Sequence, residues 1–163
     1  MFQGLFTSIN SAINIALFGA AMSALFAGIG SAYGVHIAGR AAAGVLSEQP
    51  DMFGKLVVLQ ALPGTQGIYG FIMAVLVLVR TGVIGGEVAN ISIQQGWQLF
   101  AACMPIAFGG LLSGIYQGKT AASAIHMAAK QPDSSATGIT ITAIVETYAI
   151  LALLASILIY LGV

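Results

Sequence analysis

Charge is what this chain has least of. Its 163 residues include 5 Lys+Arg and 5 Asp+Glu, 6% in all, where a soluble domain carries about 25%. The net charge is zero, so no basic patch is available for a nucleic-acid backbone and no nucleic-acid partner is expected. The single cysteine, Cys103, cannot form a bridge within the chain and is expected to act as a small apolar packing residue. No Lys or Arg precedes Arg40, so the basic start of a removable signal peptide is missing. The mature chain is therefore expected to begin close to Met1. What is abundant is hydrocarbon: 58% of the residues are hydrophobic. The composition is that of an integral membrane protein.

Four apolar segments, roughly 8–46, 53–80, 95–129 and 136–162, each exceed the ~20 residues needed to cross a bilayer. They predict an all-α membrane protein with four transmembrane helices. Two of the connections, around 47–52 and 131–135, are short and polar, and each contains Gln-Pro-Asp. The third, 80–96, is rich in glycine. Arg40, Lys55, Lys119 and Lys130 lie toward the two short connections, and Arg80 alone marks the middle loop. The excess of basic residues predicts connections 47–52 and 131–135 in the cytoplasm, with both termini outside a multi-pass protein of the cell membrane. Trp97 suits an interfacial anchor or a packed aromatic equally well.

The second half repeats the first with an offset of 82 positions. Gln49-Pro50-Asp51 falls on Gln131-Pro132-Asp133, Ser31 on Ser113 and Thr65 on Thr147. The pattern predicts two tandem helical hairpins, residues 1–80 and 81–163, within one membrane domain. One mismatch is informative: Glu146, the only charge in the last segment, falls on Gly64. Small residues favour close approach of helix backbones in a membrane. They gather on the first helix of each hairpin, at Gly28, Gly30 and Gly34 and at Gly110, Gly114 and Gly118. These helices are expected to form a tight inner layer, with the second and fourth segments facing lipid. An ordinary compact four-helix bundle is the plainer alternative.

An ionisable side chain inside a membrane is costly and marks a candidate functional site. Glu146 lies 13 residues past Asp133 and Gln117 lies 13 before Lys130, both ~20 Å along a helix. Thr65 and Gln66, at 15 and 16 residues past Pro50, lie ~23 Å along theirs. Pro63 shares this level, and its missing N–H can free carbonyls such as those of Leu59 and Leu62. One carboxylate among neutral oxygens suits a hard monovalent cation. A proton needs only the carboxylate and one hydrogen-bond partner, so the surplus of oxygens leans toward Na⁺ over H⁺. Tyr69 could reach the carboxylate with its hydroxyl, whereas Tyr148 points to another helix face.

"LPGTQGIYG" (62–70), "SGIYQGK" (113–119) and "VETYAIL" (145–151) together resemble the proteolipid rotor subunit of V-type ATPases, the kind designated c or K. The similarity covers nearly the whole chain and is greatest to the sodium-translocating bacterial kind. It implies Na⁺ ligation by the Leu62 carbonyl, Thr65, Gln66, Gln117 and Glu146, with Tyr69 hydrogen-bonded to Glu146 when the site is occupied. It further implies a ring of identical subunits in the lipid bilayer. That ring would turn against a membrane stator subunit and be coupled through central-stalk subunits to a peripheral catalytic head. The chain itself would then be a non-catalytic subunit.

Two stretches imitate nucleotide motifs and fail. "GIYQGKT" (114–120) would need Gly at 113, which is Ser, and "GIGSAYG" (28–34) is one residue too long for G-x-G-x-x-G. His36 and His126 have no metal-spaced partner and are expected to be packing or interfacial residues. Lys119 is expected to snorkel. Glu48, Asp51 and Asp133 are loop charges, and "NIS" (90–92) matches a glycosylation sequon. The rivals to a sodium rotor are a proton rotor with the same fold, a stand-alone small ion transporter, and a structural protein for which Glu146 would be dispensable.

Overall fold

The computed structural model describes residues 11–87 and 89–163, and all regular secondary structure among them is helical. Helix α1 spans Ala12–Leu46, α2 Phe53–Ala61, α3 Thr65–Arg80, α4 Ile93–Lys130 and α5 Ser135–Leu161. Four stretches are long and apolar enough to cross a membrane: Ala12–Leu46, Pro50–Arg80, Ile93–Lys130 and Pro132–Leu161. They match the four predicted spans to within a few residues. The predicted start of the first span, at residue 8, lies outside the described residues.

Serines cap the starts of α1 and α4. Ser11 Oγ accepts the Asn14 N–H, and Ser92 Oγ accepts that of Gln95, whose side chain returns to the Ser92 N–H as a capping box. The two Gln-Pro-Asp connections form matching 3₁₀ turns at Pro50–Met52 and Pro132–Ser134, each with proline at its first position. They lie at one end of the molecule: Gln49 Nε2 donates to the Ala129 carbonyl at 3.5 Å and Lys55 Nζ to the Pro132 carbonyl at 3.3 Å. At the opposite end Arg80 Nη1 donates to the Tyr160 carbonyl at 2.9 Å, and its guanidinium sits 5.0 Å from the Tyr160 ring centroid. The middle loop turns at Gly82, whose φ of +72° and proximity to the Glu87 carbonyl both exclude a side chain.

Helices α1 and α4 form the tightest contact, as the small-residue pattern predicts. A Cβ on Gly34 would run into the Gly114 backbone, and one on Gly114 or Gly118 would run into Gly30 or Gly34. The two helices run parallel and in the register of the sequence repeat. Phe18 stacks on Phe100 with ring centroids 6.0 Å apart, and Phe26 meets Phe108 at 5.7 Å. Both are pairs related by the 82-residue offset. The last span is the least covered: 11% of its most apolar stretch is buried, against 44% for the third span. The fourth span thus lies outermost as expected, whereas the second, 33% buried against 39% for the first, is nearly as covered as the inner pair, because α3 packs against both α1 and α4.

Two apolar clusters fill the interior. One, near the short turns, contains Ala38, Ala42, Leu56, Leu59, Ala121 and Ile125. The other, toward the middle loop, contains Ala16, Met73, Val77, Leu99, Cys103 and Ile106. Between them comes a polar layer: Ser31 on α1, Gln66 on α3, Gln117 on α4 and Thr142 on α5 are all buried. Buried polar groups in a dry interior are costly unless paired.

Candidate functional site

The second span does not cross as one helix. Helix α2 ends at Ala61, a 3₁₀ turn occupies Leu62–Gly64, and α3 restarts at Thr65. Pro63 is the cause, because it has no N–H to give the Leu59 carbonyl. The Leu62 carbonyl is turned to local use. It accepts the Thr65 N–H and, at 3.1 Å, the Thr65 hydroxyl. Donation by the hydroxyl leaves the lone pairs of Thr65 Oγ1 available.

The restart directs three polar side chains from one turn and a half of α3. Thr65 and Tyr69 are four residues apart and Gln66 and Tyr69 three, so they lie on neighbouring faces. Gln66 Nε2 donates to Gln117 Oε1, and Gln117 Nε2 donates to the Thr142 carbonyl at 3.2 Å. This relay fixes both amides, since rotating Gln66 would set oxygen against oxygen. Gln66 Oε1 is left buried with no hydrogen-bond partner. Thr142 lies one helical turn before Glu146, so the relay ends on the stretch of α5 that bears the carboxylate. Glu146 Oε1 accepts the Tyr69 hydroxyl at 2.5 Å, and both residues are half-buried.

The structure thus joins Leu62 to Thr65, Gln66 to Gln117, and Tyr69 to Glu146, within one layer. Tyr148 is 68% exposed and faces away, as expected. Two members were not foreseen: the Thr142 carbonyl, which orients Gln117, and Ser31, which bonds the α3 backbone. Backbone acceptors leave no mark in a sequence. His36 and His126 line a groove of about 570 Å³ with Tyr33, Arg40 and Lys119. Lys119 Nζ lies 5.2 Å from the Tyr116 ring centroid. Among the described residues no three His, Cys, Asp or Glu side chains cluster as a metal site would require. The carboxylate, the orphaned amide oxygen, the hydroxyl oxygen and the backbone carbonyl are all oxygen donors, the kind a hard cation takes.

Duplicated membrane hairpins with a single acid at mid-span define a class of small membrane proteolipids. The chain belongs to the C-subunit family of ATP synthases, whose sequence model matches residues 18–77 and again 100–159. The two matches are offset by 82 residues, the offset of the internal repeat. The chain is 45% identical over 153 residues to the V-type sodium ATPase subunit K of Enterococcus hirae, covering 94% of each chain. It is 41% identical over 146 residues to the A-type ATP synthase subunit K of Methanocaldococcus jannaschii, covering 90% of this chain and 63% of that one. It is also 25% identical over 117 residues to the 16 kDa proteolipid of the human V-type proton ATPase, covering 72% of each. The expected resemblance to V-type ATPase proteolipids is borne out.

Proposed function

We propose that this chain is the ion-carrying rotor subunit of a V-type ATPase and that its cargo is Na⁺. It is a non-catalytic membrane subunit; ATP is handled by the peripheral head. The observation that carries the reading is the buried, unpartnered Gln66 Oε1 in the same polar layer as Glu146. An acceptor left unpaired in a dry interior costs free energy unless something electropositive fills the place. Na⁺ would be held by Glu146, Gln117, Thr65, Gln66 and the Leu62 carbonyl, with the Tyr69 hydroxyl holding Glu146. The sodium ATPase named among the relatives supports the same ion.

The working cycle follows from charge. An occupied site is neutral and can pass through lipid, whereas an emptied carboxylate is expensive there. Rotation is therefore conditional on loading. Identical subunits form the ring, a membrane stator subunit supplies the counter-charge at which ions leave, and central-stalk subunits transmit torque. The hairpins 1–80 and 81–163 act as halves of one membrane domain. Connections 47–52 and 131–135 face the cytoplasm and the termini face outside.

The second reading is H⁺ in the same rotor. It is favoured by the Tyr69–Glu146 bond, which would suffice for a proton, and by the proton ATPases among the relatives. Carbodiimide labelling of Glu146 in purified protein separates the two, with Na⁺ exchanged for K⁺ or choline at fixed pH and ionic strength. Suppression of labelling by Na⁺ is the expected result. Labelling that follows pH and ignores Na⁺ replaces the sodium rotor by the proton rotor.

A further inference from the structure

Helix α3 begins without a cap of its own. The first N–H groups of a helix have no partner within it, and a Ser, Thr, Asp or Asn at the N-cap usually accepts from the second or third. The molecule follows that rule at Ser11 and at Ser92, each accepting the N–H three residues on. At the start of α3 the N-cap is Gly64, which has no side chain to offer. The N–H three residues on belongs to Gly67, and it is not orphaned. It donates to Ser31 Oγ of α1 at 2.7 Å.

We infer that Ser31 is a positioning residue for the ion site, capping the broken span from a neighbouring helix and thereby holding Thr65 and Gln66 in place. This rests on the sodium reading above. Ser31 is 6% exposed, so no water readily substitutes for it. Its seat is confined: a Cβ on Gly67 would stand 3.3 Å from Ser31 Oγ, and one on Gly34, a turn further along α1, would meet Pro63 Cβ at 2.8 Å. Helix α1 therefore grips the break on both sides. A second serine of α1 reaches α3 one turn further on, where the Ser23 hydroxyl shares its proton between the Gly70 carbonyl at 3.1 Å and the Ala20 carbonyl of its own helix at 2.8 Å.

The other hairpin supplies the internal control. Ser113 is the counterpart of Ser31 under the 82-residue offset. Its hydroxyl turns back to the Gly110 carbonyl of its own helix at 3.5 Å. It has no orphan to cap, because α5 runs unbroken past Glu146. The serine stands in both copies, and only the copy facing a proline break makes the bond between helices.

Removing the Ser31 hydroxyl leaves the Gly67 N–H unpaired in a dry place, and the turn bearing Thr65 and Gln66 must shift to find another acceptor. Glu146 stands on α5, and Tyr69 follows the capped N–H on the next turn of α3, so the Tyr69–Glu146 bond depends less on the cap than Thr65 and Gln66 do. Ser31→Ala should therefore raise the Na⁺ concentration that half-protects Glu146 from carbodiimide about 10-fold. The pH midpoint of labelling without Na⁺ should stay where it is in the parent. Ser113→Ala should leave both quantities at parent values. Equal shifts in both variants would reduce Ser31 to general packing. An unchanged Ser31→Ala, or one whose pH midpoint moves along with its Na⁺ protection, also overturns the inference. If Na⁺ fails to protect the parent, the sodium reading falls and takes this one with it. If Na⁺ protects the parent but Ser31→Ala is unaffected, this inference falls alone. Should Ser31→Ala not assemble, amide exchange in the parent decides: Gly67 must be protected like Gly70 in mid-helix, and rapid exchange at Gly67 refutes the cap.

Discussion

Two stretches at the same level, 62–64 and 144–146, show how one ancestral hairpin yields two different tools. In the first hairpin Leu-Pro-Gly breaks the helix, and in the second Ile-Val-Glu continues it. The broken copy offers oxygens, from the Leu62 carbonyl, Thr65 and Gln66. The intact copy offers a charge on a rigid helix. Neither alone would make a cation site. The break lacks a counter-charge, and the charge lacks neutral ligands. On the proposed function, duplication with divergence puts the two halves of the ion site on separate spans, and closing that site would require them to be packed together.

The largest effect should come from removing the charge. Glu146→Gln should abolish carbodiimide modification at that position in the purified ring and ATP-driven Na⁺ transport completely, the latter measured in vesicles reconstituted with the whole ATPase. Retained transport would mean that the hairpins do not divide the labour as argued.

Assembly should be nearly as sensitive at the inner seam. Gly34→Ala forces a methyl against the Gly114 backbone and Pro63, a misfit of about 1–3 kcal/mol or more. Folded oligomer recovered in detergent should fall several-fold. Gly44, on the same helix, has open space where a Cβ would stand, with nothing within 4 Å. Gly44→Ala should therefore be recovered at the parent level. Equal recovery of both variants would undo the close-packing account.

Placing an acid at Gly64, the counterpart of Glu146, sharpens the comparison more directly. A Cβ at Gly64 meets only Val35 Cγ2, at 3.6 Å, so Gly64→Glu is sterically tolerable. Its counterparts of Gln66 and Gln117 are Tyr148 and Val35, which cannot form the amide relay. The new carboxyl should react with carbodiimide and gain no protection from Na⁺. Protection there would show that neutral ligands matter less than claimed.

Ligand removal should be graded. Gln66→Leu deletes the orphaned oxygen and should weaken Na⁺ protection of Glu146 roughly 10- to 100-fold, the range for a bond to a charged group. Tyr69→Phe removes a hydrogen bond to the carboxylate but deletes no ligand of the ion, and should cost less than Gln66→Leu. A Tyr69 effect exceeding that of Gln66 would favour the proton reading.

Much of this was legible in the chain. Residues Ala12–Leu46 and Ser135–Leu161 are too apolar and too long to be anything but spans, and Pro63 announces a break. The offset of 82 followed from identical residues at Gln49-Pro50-Asp51 and Gln131-Pro132-Asp133. The shared depth of Glu146, Gln117, Thr65 and Gln66 followed from helical rise. Which of them touch did not follow. Depth is one coordinate, and the facing of each side chain depends on how α3, α4 and α5 are rotated against one another. Ser31 was visible only as a repeat marker, because its partner is a backbone N–H.

The sequence by itself therefore determined the number of spans, their duplication, and the presence of one costly carboxylate at mid-span. These are matters of composition and one-dimensional spacing, which apolar length and helical rise settle without any neighbour. Only the tertiary structure decided that Gln66 and Gln117 form an amide relay ending on Thr142 and that α1 caps the broken helix with Ser31. Those are bonds between helices distant in sequence. Their formation depends on the close backbone approach that Gly30, Gly34, Gly114 and Gly118 permit.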